Sequence, residues 1–160
     1  MEYPKSFQVL NQQKVNYLIC GVVPVNIYDI PRMTADIDIV LNFKEKNIVN
    51  FEKALEISMF QKSIRVALKT FVSKEERQKA ISEKNLIAYS DFNSKAEYVN
   101  LDVLLDVPID FEELWRNKSM KEIKNISVNL ASVEKLIDLK KYANRLQDQK
   151  DALLLSRLLK

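Results

Sequence analysis

Residues 34–41 read Thr-Ala-Asp-Ile-Asp-Ile-Val-Leu, and the alternation of polar and apolar residues predicts a half-buried strand. In a strand, residues i and i+2 project from the same face, so Asp36 and Asp38 should lie side by side while Ile37 and Ile39 face the core. Two like charges at this separation repel each other. A divalent cation is the usual reason to place them together, so the motif indicates a metal site.

Asp102 is a third carboxylate in a strand-like environment. It lies within the otherwise apolar run 99–105, where burying an unpaired charge would be costly. Placed next to Asp36 and Asp38, it would complete a metal site. Asp106 is the competing candidate, although it precedes Pro108, where a turn residue is expected. The short Asp-x-Asp motif alone would also fit a solvent-facing strand with no function.

The composition sets limits on the possible chemistry. The chain has 160 residues, 47% hydrophobic and 29% charged, which suits one domain over residues 1–160. The absence of histidine excludes Ser-His-Asp triads, Cys-His dyads and His-ligated zinc. With one glycine, Gly21, Gly-rich phosphate loops are excluded as well. The net charge of +3 does not require a nucleic-acid partner.

A cytoplasmic location is the expectation from the remaining composition. No apolar run reaches the roughly 18 residues of a membrane span, and the N-terminal residues lack the pattern of a signal peptide. The single cysteine, Cys20, excludes an internal disulfide, which is typical of a reducing compartment.

Periodicity and capping signals predict an α+β fold, with a sheet-containing core over residues 1–130 and a C-terminal helical hairpin over 131–160. The predicted helices are 7–16, 22–28, 46–58, 73–84, 111–118, 132–144 and 148–159. The predicted strands are 17–20, 36–41, 86–92, 97–105 and 123–130, with 86–92 and 97–105 paired as a hairpin over Asn93 and Ser94.

Gly21 directly follows a predicted strand and opens a predicted helix. Such a turn allows the backbone to approach a ligand closely, with helix N–H groups free to receive phosphate. A plain tight turn explains the same glycine equally well.

Charges interrupt the apolar faces of the two C-terminal helices. Lys140 falls in the middle of an apolar stripe, and Asp148 and Asp151 share a face with Leu155. An ion network among these residues and Arg145 would fix the helix geometry. Alternatively, Lys140 and Arg145 point to the phosphates of a nucleotide. We expect a mixture, in which the aspartates position the bases and Lys140 serves the ligand.

These residues together resemble a known superfamily. Gly21, Val22, thirteen further residues and Asp36-Ile37-Asp38 resemble the G-[GS]-x-D-x-D pattern of the nucleotidyltransferases of DNA polymerase β type. Residues 26–41, NIYDIPRMTADIDIVL, look like the abortive-infection toxin-like members of that superfamily. Residues 136–155, LIDLKKYANRLQDQKDALLL, are similar to their C-terminal K-x4-R-x2-D-x2-D signature.

The resemblance implies a mixed sheet flanked by helices and two Mg²⁺ or Mn²⁺ ions on the carboxylates of Asp36, Asp38 and Asp102. It implies an enzyme that transfers a nucleoside monophosphate from an NTP, such as ATP, to a hydroxyl of RNA, a protein or a small molecule. Asp102 would be the general base or would orient the acceptor. The implied nucleotide-binding residues are Gly21, Val22, Arg32, Lys140 and Arg145, with Asp148 and Asp151 in positioning roles. A toxin–antitoxin or phage-defence role, with an antitoxin partner, would fit the toxin-like members.

Val22 departs from the family pattern, which has Gly or Ser at this position. A β-branched side chain removes the serine hydroxyl and adds bulk where the loop should close on the triphosphate. The alternative function is therefore a degenerate domain that binds a nucleotide or a partner protein without catalysis. A carboxylate-metal nuclease is the third possibility.

Overall fold

The computed structural model describes residues 3–34, 36–93 and 99–160, with only the backbone described for Tyr3 and Pro4. The helices are α1 Tyr3–Gln12, α2 Val23–Ile27, α3 Glu45–Ile57, α4 Lys74–Lys84, α5 Phe111–Arg116, α6 Val133–Ala143 and α7 Leu146–Ser156. The strands are β1 Tyr17–Cys20, β2 Asp36–Leu41, β3 Gln61–Lys62, β4 Ala88–Asn93, β5 Val99–Leu104, β6 Ser119–Ile123 and β7 Ile126–Leu130. Short 3₁₀ helices cover Leu68–Val72 and Arg157–Leu159.

The seven strands form one mixed sheet in the order β3-β4-β5-β2-β1-β7-β6. The pairs β2–β5 and β1–β7 are parallel, and the other neighbours are antiparallel. The prediction of an α+β fold with a mixed sheet flanked by helices is therefore confirmed. Strands β2 and β5 lie at the centre of the sheet, so the two strands that carry the predicted carboxylates are direct neighbours.

Each face of the sheet has its own apolar core. One face packs against α1, α3 and α4 through side chains such as Phe7, Phe51 and Ala80. The other face, which we call the cavity face, packs against α5, α6 and α7 through Leu114, Leu136, Leu155 and other residues. Strand alternation places the isoleucines of β2 in the first core and leaves its two aspartates on the cavity face.

One predicted strand was wrong in its extent. The predicted range 123–130 contains the last residue of β6, a turn and then β7, which pairs antiparallel with β6 in a hairpin. Its turn residues Lys124 and Asn125 both have positive φ, at 48° and 64°. The expected signal for such a turn is Asn-Gly or Asp-Gly, so a Lys-Asn pair gave no indication of it.

The predicted hairpin of the two central β-rich runs is confirmed in its pairing, because β4 and β5 are antiparallel neighbours. Asn93 is the last residue of β4, and Ser94 lies outside the described residues. Ser73 caps α4 by accepting a hydrogen bond from the Glu76 N–H, as the capping-box pattern predicted. None of the helices in the described part of the chain has the length and apolar character needed to cross a bilayer.

Candidate active site

The sheet register places the predicted carboxylates together on the cavity face. Asp38 on β2 lies directly opposite Asp102 on the parallel strand β5, and Asp36 lies opposite Asn100. Since the i and i+2 side chains of a strand share a face, Asp36 and Asp38 project on the same side as Asp102. The pairing of β2 with β5 thus joins residues that are far apart in sequence into one acidic group.

Burial and mutual repulsion dominate the electrostatics of this group. Burial, and then the charge of Asp102, raise the pKa of Asp38 to about 6, against an opposing effect of Lys140. Burial also raises the pKa of Asp102, although a hydrogen bond with Ser90 opposes the shift. The Oδ1 atom of Asp102 is buried and has no hydrogen-bond partner among the described residues. The positive charges and hydrogen-bond donors around Asp38 and Asp102 are therefore insufficient to stabilise both carboxylates in their ionised form.

Gly21 packs directly on the Asp38 side chain. Its φ of +72° lies in the left-handed region, and a Cβ built on it would overlap Asp38 Oδ2 and approach Asp38 Cγ to 2.7 Å. Helix α2, which begins two residues later, has only five residues. The close backbone approach predicted for this glycine is therefore directed at a carboxylate of the chain itself.

Replacing Gly21 with alanine should destabilise the protein by about 2–4 kcal/mol, because left-handed strain of about 1–2 kcal/mol adds to the displacement of Asp38. Urea denaturation measures the change. Asn85→Ala is the control for backbone strain alone, since Asn85 has a left-handed φ of 51° and already carries a Cβ. If the overlap with Asp38 is responsible, Asp38→Ala should recover part of the loss in a double variant.

Lys140 is the centre of a buried ion network on the cavity face. Its side chain is 6% exposed, and its Nζ lies 3.1 Å from Asp148 Oδ1 and 3.1 Å from Asp151 Oδ2. Asp148 and Asp151 are 2% and 0% exposed. The charges that interrupt the apolar stripes in the sequence are therefore paired with each other across α6 and α7.

Two arginines complete the network. Arg145 Nε donates to Asp148 Oδ2 at 2.6 Å, and Arg32 Nη1 donates to Asp151 Oδ1 at 2.8 Å. Burial raises the pKa of Asp148, but the hydrogen bonds from Arg145 and Lys140 outweigh it and hold that pKa below its usual value. Asp148 therefore remains ionised and keeps Lys140 in place.

A cavity of about 660 Å³ joins most of these residues. Its lining includes Gly21, Asp38, Asp102, Lys140, Arg145 and Asp148. Among the described residues, the lining does not include Asp36, Val22, Arg32 or Asp151. The structure thus brings the two facing carboxylates and the two C-terminal bases to one concave surface, whereas the guanidinium of Arg32 is bonded to Asp151 outside it.

Asp106 and Tyr142 are further residues at this cavity. The Tyr142 hydroxyl donates to Asp106 Oδ1 at 2.9 Å, which links α6 to the segment after β5. The sequence had already offered Asp106 as a competing carboxylate, although its position at the strand end favoured a turn residue. Tyr142, Ser90 and Asn100 had no sequence signal, because each acquires its role only through pairing with an acidic residue elsewhere in the chain.

The residues present fit a divalent cation only in part. Within residues 3–34, 36–93 and 99–160, no group of three or more carboxylate or thiol side chains is disposed to hold a metal ion. The unpartnered Oδ1 of Asp102 beside Asp38 nevertheless offers hard oxygen donors. Mg²⁺ commonly uses one or two carboxylates and completes its shell with water and substrate phosphates. The chemistry of the donor set therefore fits an open magnesium site.

The fold is similar to that of a solved protein. No protein-family model and no curated protein sequence matches the chain. A crystal structure described as an antigenic nucleotidyltransferase-like protein from Paracoccidioides brasiliensis superposes with a TM-score of 0.59 at 18% identity. The match covers 97% of this chain and 73% of that one. The chain has a nucleotidyltransferase-like fold. At this identity the similarity supports the fold that the sequence pattern predicted.

Proposed function

We propose that the protein is a metal-dependent nucleotidyltransferase, which moves a nucleoside monophosphate from an NTP to an acceptor hydroxyl. The observation that carries this proposal is the cavity whose lining combines the neighbouring carboxylates of Asp38 and Asp102 with the bases Lys140 and Arg145. Acidic donors for a cation and basic groups for phosphate are the two requirements of phosphoryl transfer. The nucleotidyltransferase-like fold supports the same reaction class.

Asp38 and Asp102 would hold Mg²⁺ or Mn²⁺, with Asp36 beside them on the same face of β2, and the ion would supply electrostatic stabilisation of the reacting phosphate and of the attacking oxygen. In the reaction, the acceptor oxygen forms a bond to the α-phosphorus, the α–β phosphoanhydride bond breaks, and pyrophosphate leaves. The proton of the acceptor hydroxyl goes to Asp102, whose Oδ1 has no partner among the described residues. An alternative role for Asp102 is to orient the acceptor.

Lys140 and Arg145 supply positive charge to the lining of the cavity. Lys140 has three N–H donors, of which one is hydrogen-bonded to Asp148, and its ammonium also forms an ion pair with Asp151, so donor capacity remains for a phosphate oxygen. Arg145 has an exposed side chain, at 79%, and is tied to Asp148 through its Nε. The aspartates thus position both bases toward the triphosphate. Gly21 lines the same cavity, and its missing Cβ also leaves room for the Asp38 side chain.

The acceptor in this proposal is a hydroxyl of RNA, of a protein or of a small molecule, and ATP is one candidate donor. A toxin–antitoxin or phage-defence role with an antitoxin partner, in the cytoplasm, is the biological setting that the sequence resemblance favours. The C-terminal K-x4-R-x2-D-x2-D residues, on which this resemblance partly rests, form one continuous ion network beside the cavity.

Incubation with α-labelled NTPs, Mg²⁺ or Mn²⁺, total RNA and cell protein should transfer label to one class of acceptor. The variant Asp36→Ala with Asp38→Ala should lower the transfer by at least about 100-fold, because the loss removes transition-state charge stabilisation. Asp138→Ala, an exposed position on α6, is the matched control. Labelling that survives in the double variant would rule out this assignment of the active site.

A degenerate binding domain is the second candidate, favoured by the position of Val22. This residue precedes the five-residue helix α2 and gives no hydroxyl toward the cavity, whose described lining excludes it. Calorimetry separates the two functions. Tight, metal-dependent NTP binding without transfer to any acceptor would support the degenerate domain, and cleavage of added RNA or DNA would indicate a nuclease instead.

A further inference from the structure

A second cavity, also of about 660 Å³, opens where the central parallel strands β2 and β5 end, and we call it the strand-end cavity. From β2 the chain continues to α3 on one face of the sheet, whereas from β5 it continues to α5 on the cavity face. In α/β sheets, a ligand crevice typically lies outside the carboxyl ends of neighbouring parallel strands whose connections leave to opposite faces. Among the described residues, its lining has Leu104 and Asp106 in common with the cavity of the proposed active site and is otherwise separate.

The lining of the strand-end cavity combines apolar walls with a few charged groups. More than half of the lining residues are apolar, including the aromatic rings of Phe43 and Phe111. The bases in the lining are Lys44, Lys74 and Arg77. Sites for small molecules typically have volumes of about 300–1,000 Å³ and this same mixture of apolar surface and a few polar groups. The cavity therefore suits a small molecule with an apolar body.

Neutral groups alone hold Arg77 in place. Its Nη1 donates to the backbone carbonyls of Phe71 and Val72, the second at 3.2 Å. Its guanidinium carbon lies 4.6 Å from the centroid of the Phe43 ring. An arginine has five N–H donors, so the Nε–H and the two Nη2–H groups have no acceptor among the described residues. Two such N–H groups on one edge of a guanidinium match the two oxygens of a carboxylate or a phosphate.

The charge of Arg77 is not compensated within the described part of the chain. No described carboxylate lies within ion-pair distance of Arg77 or of Lys74, whereas Lys44 is paired with Glu112 at 3.3 Å. Burial lowers the pKa of Arg77, as expected for a cation that lacks a counter-charge. Lys74 precedes Arg77 by three residues in α4, so the two bases share one face of that helix. Two bases of the lining are therefore left to bind an anion.

We propose that the strand-end cavity binds a small organic anion, whose carboxylate or phosphate pairs with Arg77 and Lys74 while its apolar body lies against Phe43 and Phe111. The site is distinct from the proposed nucleotide site, and the inference does not depend on the proposed function. The contacts of Arg77 with Phe71 and neighbouring groups join α4 to the preceding 3₁₀ helix, but they use Nη1 and leave the other donors to the ligand.

The test titrates the wild-type chain with four probes of similar size: phenyl phosphate, benzoate, benzyl alcohol and benzylammonium. Binding is followed by two-dimensional ¹H–¹⁵N NMR, in which the Nε–H signal of Arg77 is identified by its absence from Arg77→Lys. We expect phenyl phosphate or benzoate to shift this signal, and the tighter of the two identifies the anionic group. Benzyl alcohol should bind about 10-fold more weakly or worse, because it lacks the charge-assisted hydrogen bonds.

Variants of α4 locate the binding site. Arg77→Lys keeps the charge but loses the planar fork, so it should weaken anion binding by about 10-fold. Lys74→Met changes an exposed side chain that has no described partner, and it should weaken binding by about 2–5-fold. It keeps the proposal testable if Arg77→Lys does not fold. Lys79→Met is the matched control on the same helix, outside the lining, and it should bind the anions as the wild type does.

Several results would overturn this assignment. Equal affinity for benzyl alcohol and the anions would show that the cavity has no preference for charge. Tighter binding of benzylammonium would show that the lining carboxylates Asp106 and Asp110 attract a cation instead. The same conclusion against the site follows if no probe shifts the Arg77 signal up to about 10 mM, where a fragment of this size should be detected. An equal loss in Lys79→Met and Lys74→Met would assign the binding to the general charge of α4 rather than to the cavity.

Discussion

Lys140→Met should lower the free energy of unfolding by about 3–5 kcal/mol, although it places an apolar side chain in an apolar helix face. The reason is that Lys140 is the common partner of two carboxylates, Asp148 and Asp151, which are 2% and 0% exposed. Removing one member of a buried ion network leaves the others insufficiently compensated. Arg145 and Arg32 remain, but each contacts only one of the two aspartates.

Urea denaturation with a spectroscopic readout measures this loss. Lys141→Met is the matched control, because Lys141 lies next in the same helix and is exposed. It should change the stability by less than about 0.5 kcal/mol. In Lys140→Met the uncompensated carboxylates bind protons more readily, so the defect should shrink as the pH falls from 7 to 5. A loss below about 1 kcal/mol that does not vary with pH would show that the network contributes little to the fold.

The sequence predicted the parts of the site that depend on local pattern. The Asp36-Ile37-Asp38 alternation identified β2, and the charges inside the apolar faces of α6 and α7 identified the network. Both signals follow from one periodicity within one element, so they needed no knowledge of neighbouring strands. The edge strand β6 was missed for the opposite reason. Its residues Ser119–Ile123 are largely exposed and do not alternate in hydrophobicity.

Side-chain contacts that depend on the pairing register of two strands could not be predicted from the residue pattern of either strand alone. Asp38 meets Asp102 because β2 and β5 pair in parallel in one particular register. A shift by one residue would turn Asp102 to the other face. Gly21 lines the cavity and also leaves room for the Asp38 side chain, since β1 and β2 place Cys20 opposite Asp38, a contact that the sequence did not reveal. Long-range pairing, rather than residue type, decides these contacts.

Asp91 lies on the other face of the sheet, and its environment likewise could not be predicted from the sequence pattern. It shares that face with Tyr89, is 0% exposed, and neither of its carboxylate oxygens has a hydrogen-bond partner among the described residues. Burial raises the pKa of Asp91 to about 7, with Lys62 lowering it and Glu52 and Asp102 raising it further. Lys62 is itself paired with Glu52 at 3.1 Å, so it does not neutralise Asp91 alone.

The raised pKa of Asp91 makes stability depend on pH in a defined direction. The unfolded carboxyl titrates near about 3.9, so between about pH 4 and pH 7 the folded chain binds the extra proton. The stabilising contribution is complete below about pH 4, declines as the pH rises through about 7, and is lost above it. With about three pKa units between the two states, the total amounts to about 4 kcal/mol, of which about 2.5 kcal/mol falls between pH 5 and pH 8.

Asp91→Asn should remove the pH-dependent contribution of Asp91 to the free energy of unfolding while keeping the shape of the side chain. Unfolding free energies of the variant and the wild type, measured from pH 5 to pH 8, give the difference at each pH. That difference should move in favour of the variant by about 2.5 kcal/mol across this range, whatever its value at pH 5. Asp138→Asn, at an exposed site on α6, should follow the wild-type profile. If the two profiles of Asp91→Asn and wild type are parallel, Asp91 is ionised in the folded chain, and an unobserved partner must compensate its charge.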